Sequence, residues 1–463
     1  MSFLTAIIAA IASSLVCILS PVQALAVYIA VLAWYPVSLT LKLGTVDFSA
    51  SRIVAIVLLS SLLMRSAAKK FKFIAIDWLV IIYFVSQIIS GYLTSASLMQ
   101  LMENRAGIIV DLTLPYFIVR MTISTKDEYM KLLKYLLFIA LPLAFLGMYQ
   151  SITGNNPVGP LLRYAAWGVL GDRVDMRYGL YRANVTFPVH IHFGMFFAMV
   201  GALCAGLIYN VRSHKKLYTT AVAMLSIGVV ASVSSAPVMA VMLVGLFMIL
   251  FYYRRYARSV FILIAIMCIS VEIFSNRHFY DVIGSFAMNG QTAWYRSMLM
   301  EVALFQGGMD GHWLFGYGYE TDPGWSSYID LRGHTDIVNH YLLVLARFGL
   351  VSLIPFLAIN FQAGKRLIHA FKITPFKGDK WMVWSLASIM VALSAVFFTV
   401  SLFGQPRTIY FMMLALCASM PVIVTKSVGT FNRMAKVERN ILTQSQLSNS
   451  NVVVEDKTVW MSQ

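Results

Sequence analysis

The sequence predicts an all-α membrane protein, a polytopic transmembrane helix bundle of about 12–13 spans with a large extracytoplasmic loop. Three observations predict it. Of 463 residues, 59% are hydrophobic and 12% charged, with a mean hydropathy of +0.75, whereas a soluble domain carries about 25% charged residues. Apolar runs approaching the roughly 20 residues that cross a hydrocarbon core recur along almost the whole chain. Lysine and arginine gather in short clusters between those runs, as the positive-inside rule expects.

Spans are expected near 4–19, 22–37, 50–66, 74–93, 106–120, 132–150, 189–209, 217–231, 235–252, 259–275, 337–360, 383–402 and 408–425. The first run lacks a basic leader and reads as a retained helix, not a cleaved signal peptide. The first two runs could equally form one broken helix, so the side of the N-terminus stays open. The clusters Arg65/Lys69/Lys70/Lys72, Lys126/Lys131/Lys134, Arg212/Lys215/Lys216, Arg254/Arg255/Arg258, Lys365/Arg366/Lys372/Lys377/Lys380 and Lys426/Arg433/Lys436/Arg439 are expected in the cytoplasm. Alternation then divides the chain into N-terminal helices (1–150), a first outer loop (151–188), central helices (189–275), a large outer loop (276–336), C-terminal helices (337–425) and a cytoplasmic tail (426–463). Beyond residue 440 the tail is rich in Ser, Gln and Asn and is expected to be disordered.

The formal charge of +16 does not indicate nucleic acid, because no basic, aromatic-laced soluble module exists to bind it. Cys17, Cys204, Cys268 and Cys417 each lie in an apolar run without a CxxC pair, so they read as small buried hydrophobes. Lysine is absent from 135–214 and from 217–364. Arginine nevertheless persists in the outer gaps, at Arg163, Arg173, Arg177, Arg182, Arg277, Arg296 and Arg332. The topology bias should remove both residue types. Retention of the one whose planar fork binds phosphate oxygens bidentately points to an anionic ligand. The competing explanation is pairing with the acids of the same loops, among them Asp172, Asp175, Glu301, Glu320, Asp322 and Asp330.

Three segments could carry chemistry. GLYRANVTFPVHIH, 179–192, leads from the first outer loop into a helix, with Pro188 suited to its first turn. His190 and His192 are two apart, which does not suit a helical metal pair, and no metal site is expected. TAWYRSMLMEVALFQ, 292–306, reads as a helix lying on the interface and carries Arg296 and Glu301, too far apart along it to pair. GHTDIVNHYLLVLARFGLV, 333–351, enters the next span. If its helix begins by Asp336, then Asp336, His340 and Arg347 lie on one stripe running into the membrane. An ionisable residue within a span is a functional candidate, and His340 adds a group that moves protons near neutral pH. Asp111 is a second intramembrane charge, with Arg105 nearby as a partner. Asp77 is expected to pair with Lys72 or Lys70.

The order of an outer Arg with TFP, an outer Tyr-Arg helix, LFGYGYE and NHYLLVLARFGLVSLIPF resembles the O-antigen ligase/polymerase superfamily of bacterial envelope glycan enzymes. The likeness in organisation covers nearly the whole chain; its motifs lie in about 180–195 and 292–356. The resemblance implies a GT-C-like, metal-independent membrane glycosyltransferase without cofactor. It would act on the periplasmic face of the bacterial inner membrane on undecaprenyl-pyrophosphate-linked glycan. A polymerase joins lipid-linked repeat units; a ligase moves the glycan to another acceptor. A chain-length regulator or another envelope-glycan assembly protein is a candidate partner beside the lipid bilayer. By resemblance Arg182 and Arg296, with Arg347 third, bind the pyrophosphate, and His340, His334 or Asp336 acts on the acceptor. The family pattern places histidine immediately before the asparagine, where this chain has Val338. His340 is displaced by two residues, about 200° around a helix, so His334 competes for the role. A lipid-linked glycan flippase is the alternative from a different class; it favours internal repeats or broken helices at the midplane.

Overall fold

The computed structural model describes residues 2–43, 46–65, 71–94, 97–165, 175–275, 278, 281–282, 290–319, 321–329 and 335–430. The chain is mostly helical. Six helices are long and apolar enough to cross a membrane: Ala75–Thr94, Lys126–Thr153, His190–Leu207, His340–Ile373, Lys377–Val396 and Gly404–Thr430. Shorter apolar helices occupy Ser2–Ile18, Pro21–Trp34, Ala50–Met64 and Ser235–Leu250. Large apolar side chains such as Phe138, Ile18 and Phe274 lie exposed on the helix flanks, as a hydrocarbon solvent allows and water does not. The tail beyond 430 lies outside the described residues, as do His334, Glu320, Arg173, Arg277 and Arg332.

The first two apolar runs are separate helices folded into a hairpin. Thr5 and Tyr35 share a hydrogen bond of 2.8 Å, and the Arg65 guanidinium caps the Val16, Cys17 and Leu19 carbonyls at the other end. Proline at the second helix's first position explains the stop. Two long-range ion pairs differ from the sequence expectations. Asp77 pairs with Arg120 at 3.0 Å and accepts from the Tyr116 hydroxyl at 2.6 Å, while Lys72 offers its carbonyl to Arg120 and Lys70 lies outside the described residues. Asp111 pairs with Arg52 through two bonds of 2.9 and 2.7 Å, not with Arg105. In each, the planar fork of arginine satisfies both carboxylate oxygens, which a lysine cannot do.

The most buried spans, Gly404–Thr430 and His190–Leu207, form the axis of the bundle, and the site is built at their first turns. Both begin at the end where helix His340–Ile373 also begins. The Lys126, Arg366 and Asp379 side chains meet the bundle at the opposite end. That opposite end also carries Lys365, Lys372, Lys377 and Lys380.

Helix His340–Ile373 is broken. Gly349 has φ 69° and ψ −172°, a conformation essentially confined to glycine. The loop Trp313–Gly318 closes the break. The Leu350 and Val351 amides donate to the Trp313 and Leu314 carbonyls at 2.8 and 3.2 Å. The Tyr317 and Gly318 amides donate to the Ala346 and Arg347 carbonyls at 2.7 and 3.1 Å. Every backbone group freed at such a break must find a partner away from water, and here a loop supplies them. A Cβ on Gly316 would meet the Ala346 carbonyl oxygen at 2.6 Å, so glycine is required for the approach.

The helix expected over 292–306 from its apolar spacing is present as Gly290–Leu304. Leu299, Val302 and Ala303 bury against Trp325, Ile337, Leu342 and Leu345 in a small core of their own. Its far end meets His278. That imidazole pairs with Glu272 at 2.7 Å, stands 3.9 Å from Glu301 and stacks on Phe305. Its amide also donates to Asp281. The Glu272 hydrogen bond, then the Glu272, Glu301 and Asp281 charges, raise the His278 pKa. The contact therefore stabilises the fold below the ordinary histidine range and is lost as pH rises through the raised value. Hydrogen-exchange protection factors across 290–304, corrected for intrinsic exchange, should fall on going from pH 6 to pH 9, and His278→Gln should remove that fall.

Candidate functional site

The Arg182 loop is held from every side. Gln150, on helix Lys126–Thr153, accepts from the Asn184 and Val185 amides at 3.2 and 2.9 Å and donates to the Asn184 side chain at 3.0 Å. Thr186 donates to the Ala33 carbonyl, and Gln405 donates to the Thr186 carbonyl. Val185 and Val233 both have positive φ, 47° and 43°. For a β-branched residue this is strained, and such strain gathers where geometry is over-determined. Arg182 emerges from this frame to pair with Asp175 at 2.6 Å and to donate to Ser234 at 3.2 Å. Burial is the main force lowering its pKa, against the Asp175 hydrogen bond. Pro188 precedes the helix that follows, which starts at His190.

The segment 335–339 is not helical. Asn339 caps the helix, its side chain accepting from the Leu342 amide, and the helix begins at His340. Asp336 is therefore off the helix and exposed, with its carbonyl accepting from the Tyr295 hydroxyl at 2.7 Å. The expected stripe of Asp336, His340 and Arg347 does not form. Both Asp336 and Asn339 are good caps. A bond from the His340 amide to the Phe397 carbonyl, 2.7 Å, accompanies the start at the later one. His334, the competing histidine, lies outside the described residues.

The three arginines expected to grip one anion sit in three different surroundings. Arg182 has Asp175 and Arg177 as its charged neighbours. Arg347 has Tyr319 and Asp322, and its Nη1 donates to the Gly318, Tyr319 and Thr321 carbonyls, so it clamps the loop beside the Gly349 break. Arg296 is 8% exposed, its Nε is buried without a hydrogen-bond partner among the described residues, and burial pushes its pKa down to about 10. A largely buried guanidinium with one N–H unmet is costly to the fold. Arg296→Met should therefore raise the thermal midpoint of the purified protein. If Arg296 also serves the reaction, the same variant should lose activity, and a thermal scan beside an activity assay reads both.

Cationic groups do converge, around residues that the motifs passed over. Arg105 and Arg407 lie within electrostatic range of each other. The Arg105 guanidinium stands over the Tyr319 ring at 5.1 Å and the Phe348 ring at 4.8 Å, and donates to Gln87 at 2.9 Å. Arg407 reaches the Tyr83 hydroxyl at 3.4 Å, and its Nε is buried without a partner. Arg52, with Asp111 as its counter-ion, lies within electrostatic range of Tyr319. Arg407 is also within range of His340, as is His192. His340, 1% exposed, accepts the Leu402 amide at Nδ1 over 3.3 Å. His192, equally buried, bonds the Ser401 carbonyl at Nε2 over 3.1 Å. The Arg182 frame, through Gln405 and His192, and the His340 helix thus meet on one short segment, 397–405. Arg407 was findable, since an arginine at the mouth of an apolar run is a functional candidate by the rule that singled out Arg347.

Beyond the Tyr319 loop lies an open cleft of about 700 Å³ lined by Leu93, Thr94, His312, Trp313, Tyr317 and Thr321. Among the described residues, no group of three or more histidine, cysteine or acidic side chains converges to hold a metal ion. No protein-family model matches the chain, and no curated protein matches it.

Proposed function

We propose that this protein is a membrane glycosyltransferase that uses a lipid-diphosphate-linked glycan, and that it polymerises the repeat units carried by undecaprenyl pyrophosphate. The observation that carries the reading is the approach of Arg105 and Arg407 beside His340 at one end of the bundle. Arg407, whose Nε is buried without a hydrogen-bond partner among the described residues, calls for an anionic or acceptor group there. Fixed guanidiniums stabilise charge that builds on a departing diphosphate better than water does. The cleft beside Trp313 and Tyr317 has the volume and the mixed aromatic and hydroxyl lining that suit an oligosaccharide. The lysine-bearing end is cytoplasmic by the charge rule, so the site faces the periplasm of the inner membrane. The sequence resemblance to the O-antigen ligase/polymerase superfamily supports the same class. A chain-length regulator or other envelope-glycan assembly protein remains the candidate partner.

A lipid-linked glycan flippase is the second reading, and the broken helix at Gly349 favours it. In transporters the ends of such half-helices face the substrate. Here the loop Trp313–Gly318 bonds them instead, which favours the enzyme. The glycan size profile of a deletion strain separates the classes. Single repeat units accumulating on the lipid carrier at the periplasmic face support a polymerase. Full-length polymer left unattached indicates a ligase. Units confined to the cytoplasmic face indicate a flippase and refute the enzyme.

A further inference from the structure

One peptide group holds two histidines with opposite chemistry. The Ser401 carbonyl and the Leu402 amide are the two halves of the same peptide unit, which is trans. An amide N–H can only donate, so His340 Nδ1 carries a lone pair and the proton of that ring sits on Nε2. A carbonyl can only accept, so His192 Nε2 carries the proton and, in the neutral ring, Nδ1 carries the lone pair. The remaining atom of each ring, His340 Nε2 and His192 Nδ1, is buried and has no hydrogen-bond partner among the described residues. The site therefore presents one uncommitted N–H donor and one uncommitted acceptor, fixed in those roles by backbone. Edge contacts hold the rings: Phe403 lies 3.9 Å from the His192 ring, and Phe397 and Phe356 lie 4.8 and 5.3 Å from that of His340. A buried donor or acceptor left unmet costs about 1–3 kcal/mol, so each calls for a ligand group of the complementary kind.

We propose that His192 Nδ1 is the base that receives the acceptor-sugar hydroxyl, and that His340 Nε2–H, beside Arg407, is a donor to the leaving diphosphate. This rests on the glycosyltransferase reading. It moves the base from His340, whose second nitrogen has no lone pair to offer, to a histidine that the sequence offers only as an unsuited metal ligand. In the transfer, the hydroxyl proton passes to His192 Nδ1 as the oxygen bonds the anomeric carbon. The bond from that carbon to the diphosphate oxygen breaks, and its electron pair stays on the diphosphate. His340 Nε2–H and the Arg407 guanidinium donate to the oxygen that gains the charge. His192 then returns its proton to water.

Two variants keep each backbone contact and remove only the free atom. His192→Gln places an amide N–H toward Ser401 without the base; His340→Asn places an oxygen toward Leu402 without the donor. The full-length protein in nanodiscs is given a synthetic polyprenyl-diphosphate oligosaccharide. His192→Gln should lower kcat by about 10²–10⁴-fold and leave KM and thermal midpoint near wild type. A wild-type kcat in His192→Gln would overturn the proposal. Nitrogen-15 NMR of the histidine-labelled wild type gives an answer independent of turnover. Both rings should carry their proton on Nε2, and both free nitrogens should shift when the lipid is added. A proton on His192 Nδ1, or bound lipid without a shift, would overturn the pairing. Shifted resonances in a wild type that binds the lipid without transferring glycan would support the pair as a ligand site and refute the enzymatic reading instead.

Discussion

Arg407→Lys should reduce glycan transfer by about 10²–10³-fold, the scale of removing one oriented donor from a developing anion. The substitution keeps the charge and removes the fork. Arg407 makes a single 3.4 Å bond to the Tyr83 hydroxyl and leaves its Nε unmet, so the folded state loses little with it. Expression, membrane insertion and thermal midpoint should stay near wild type. Arg182→Lys is the informative comparison. Arg182 already holds Asp175 at 2.6 Å, so its loss should disturb the Val185 and Val233 frame more than it disturbs an anion. Transfer by Arg407→Lys at the wild-type rate would remove Arg407 from the reaction.

Gly349→Ala should destabilise the protein by about 3–5 kcal/mol. The backbone there has φ 69° and ψ −172°, which an L side chain resists. A Cβ would also strike the Leu314 carbonyl, the group that accepts the Val351 amide. Movement of Leu314 breaks the bonds that close the helix break and carries Tyr319 away from Arg105. Gly364, in the same helix, has open space around its Cβ position. Gly364→Ala should leave stability unchanged or raise it by up to about 1 kcal/mol. Thermal unfolding of the two variants side by side checks both, and equal midpoints would contradict the role given to Gly349.

The parts of this molecule that depend on local sequence were legible from it. Apolar runs and basic clusters placed the long spans, and the spacing in 292–306 placed the helix that carries Arg296. Pairings set by tertiary contact were not. Asp111 meets Arg52 across 59 residues and Asp77 meets Arg120 across 43; nothing local prefers them to the nearer Arg105 and Lys72. The helix start at His340 turned on two competent caps three residues apart. The break at Gly349 looked like any glycine inside an apolar run, because its cause is a loop that arrives from 30 residues away. Arg182, Arg296 and Arg347 were chosen by their place in motifs, and the fold gives each a separate setting. The convergence it does build uses Arg105 and Arg407, one from each end of the chain.

The most direct measurement is a transfer assay with the purified protein in nanodiscs and a polyprenyl-diphosphate-linked repeat unit as sole substrate. Products should appear as a ladder of longer glycans on the lipid, with free polyprenyl diphosphate released for each unit added. Arg407→Lys and His192→Gln should both suppress the ladder while still inserting and folding. Movement of the intact substrate across the bilayer with no ladder and no released diphosphate would contradict the transferase and leave the flippase.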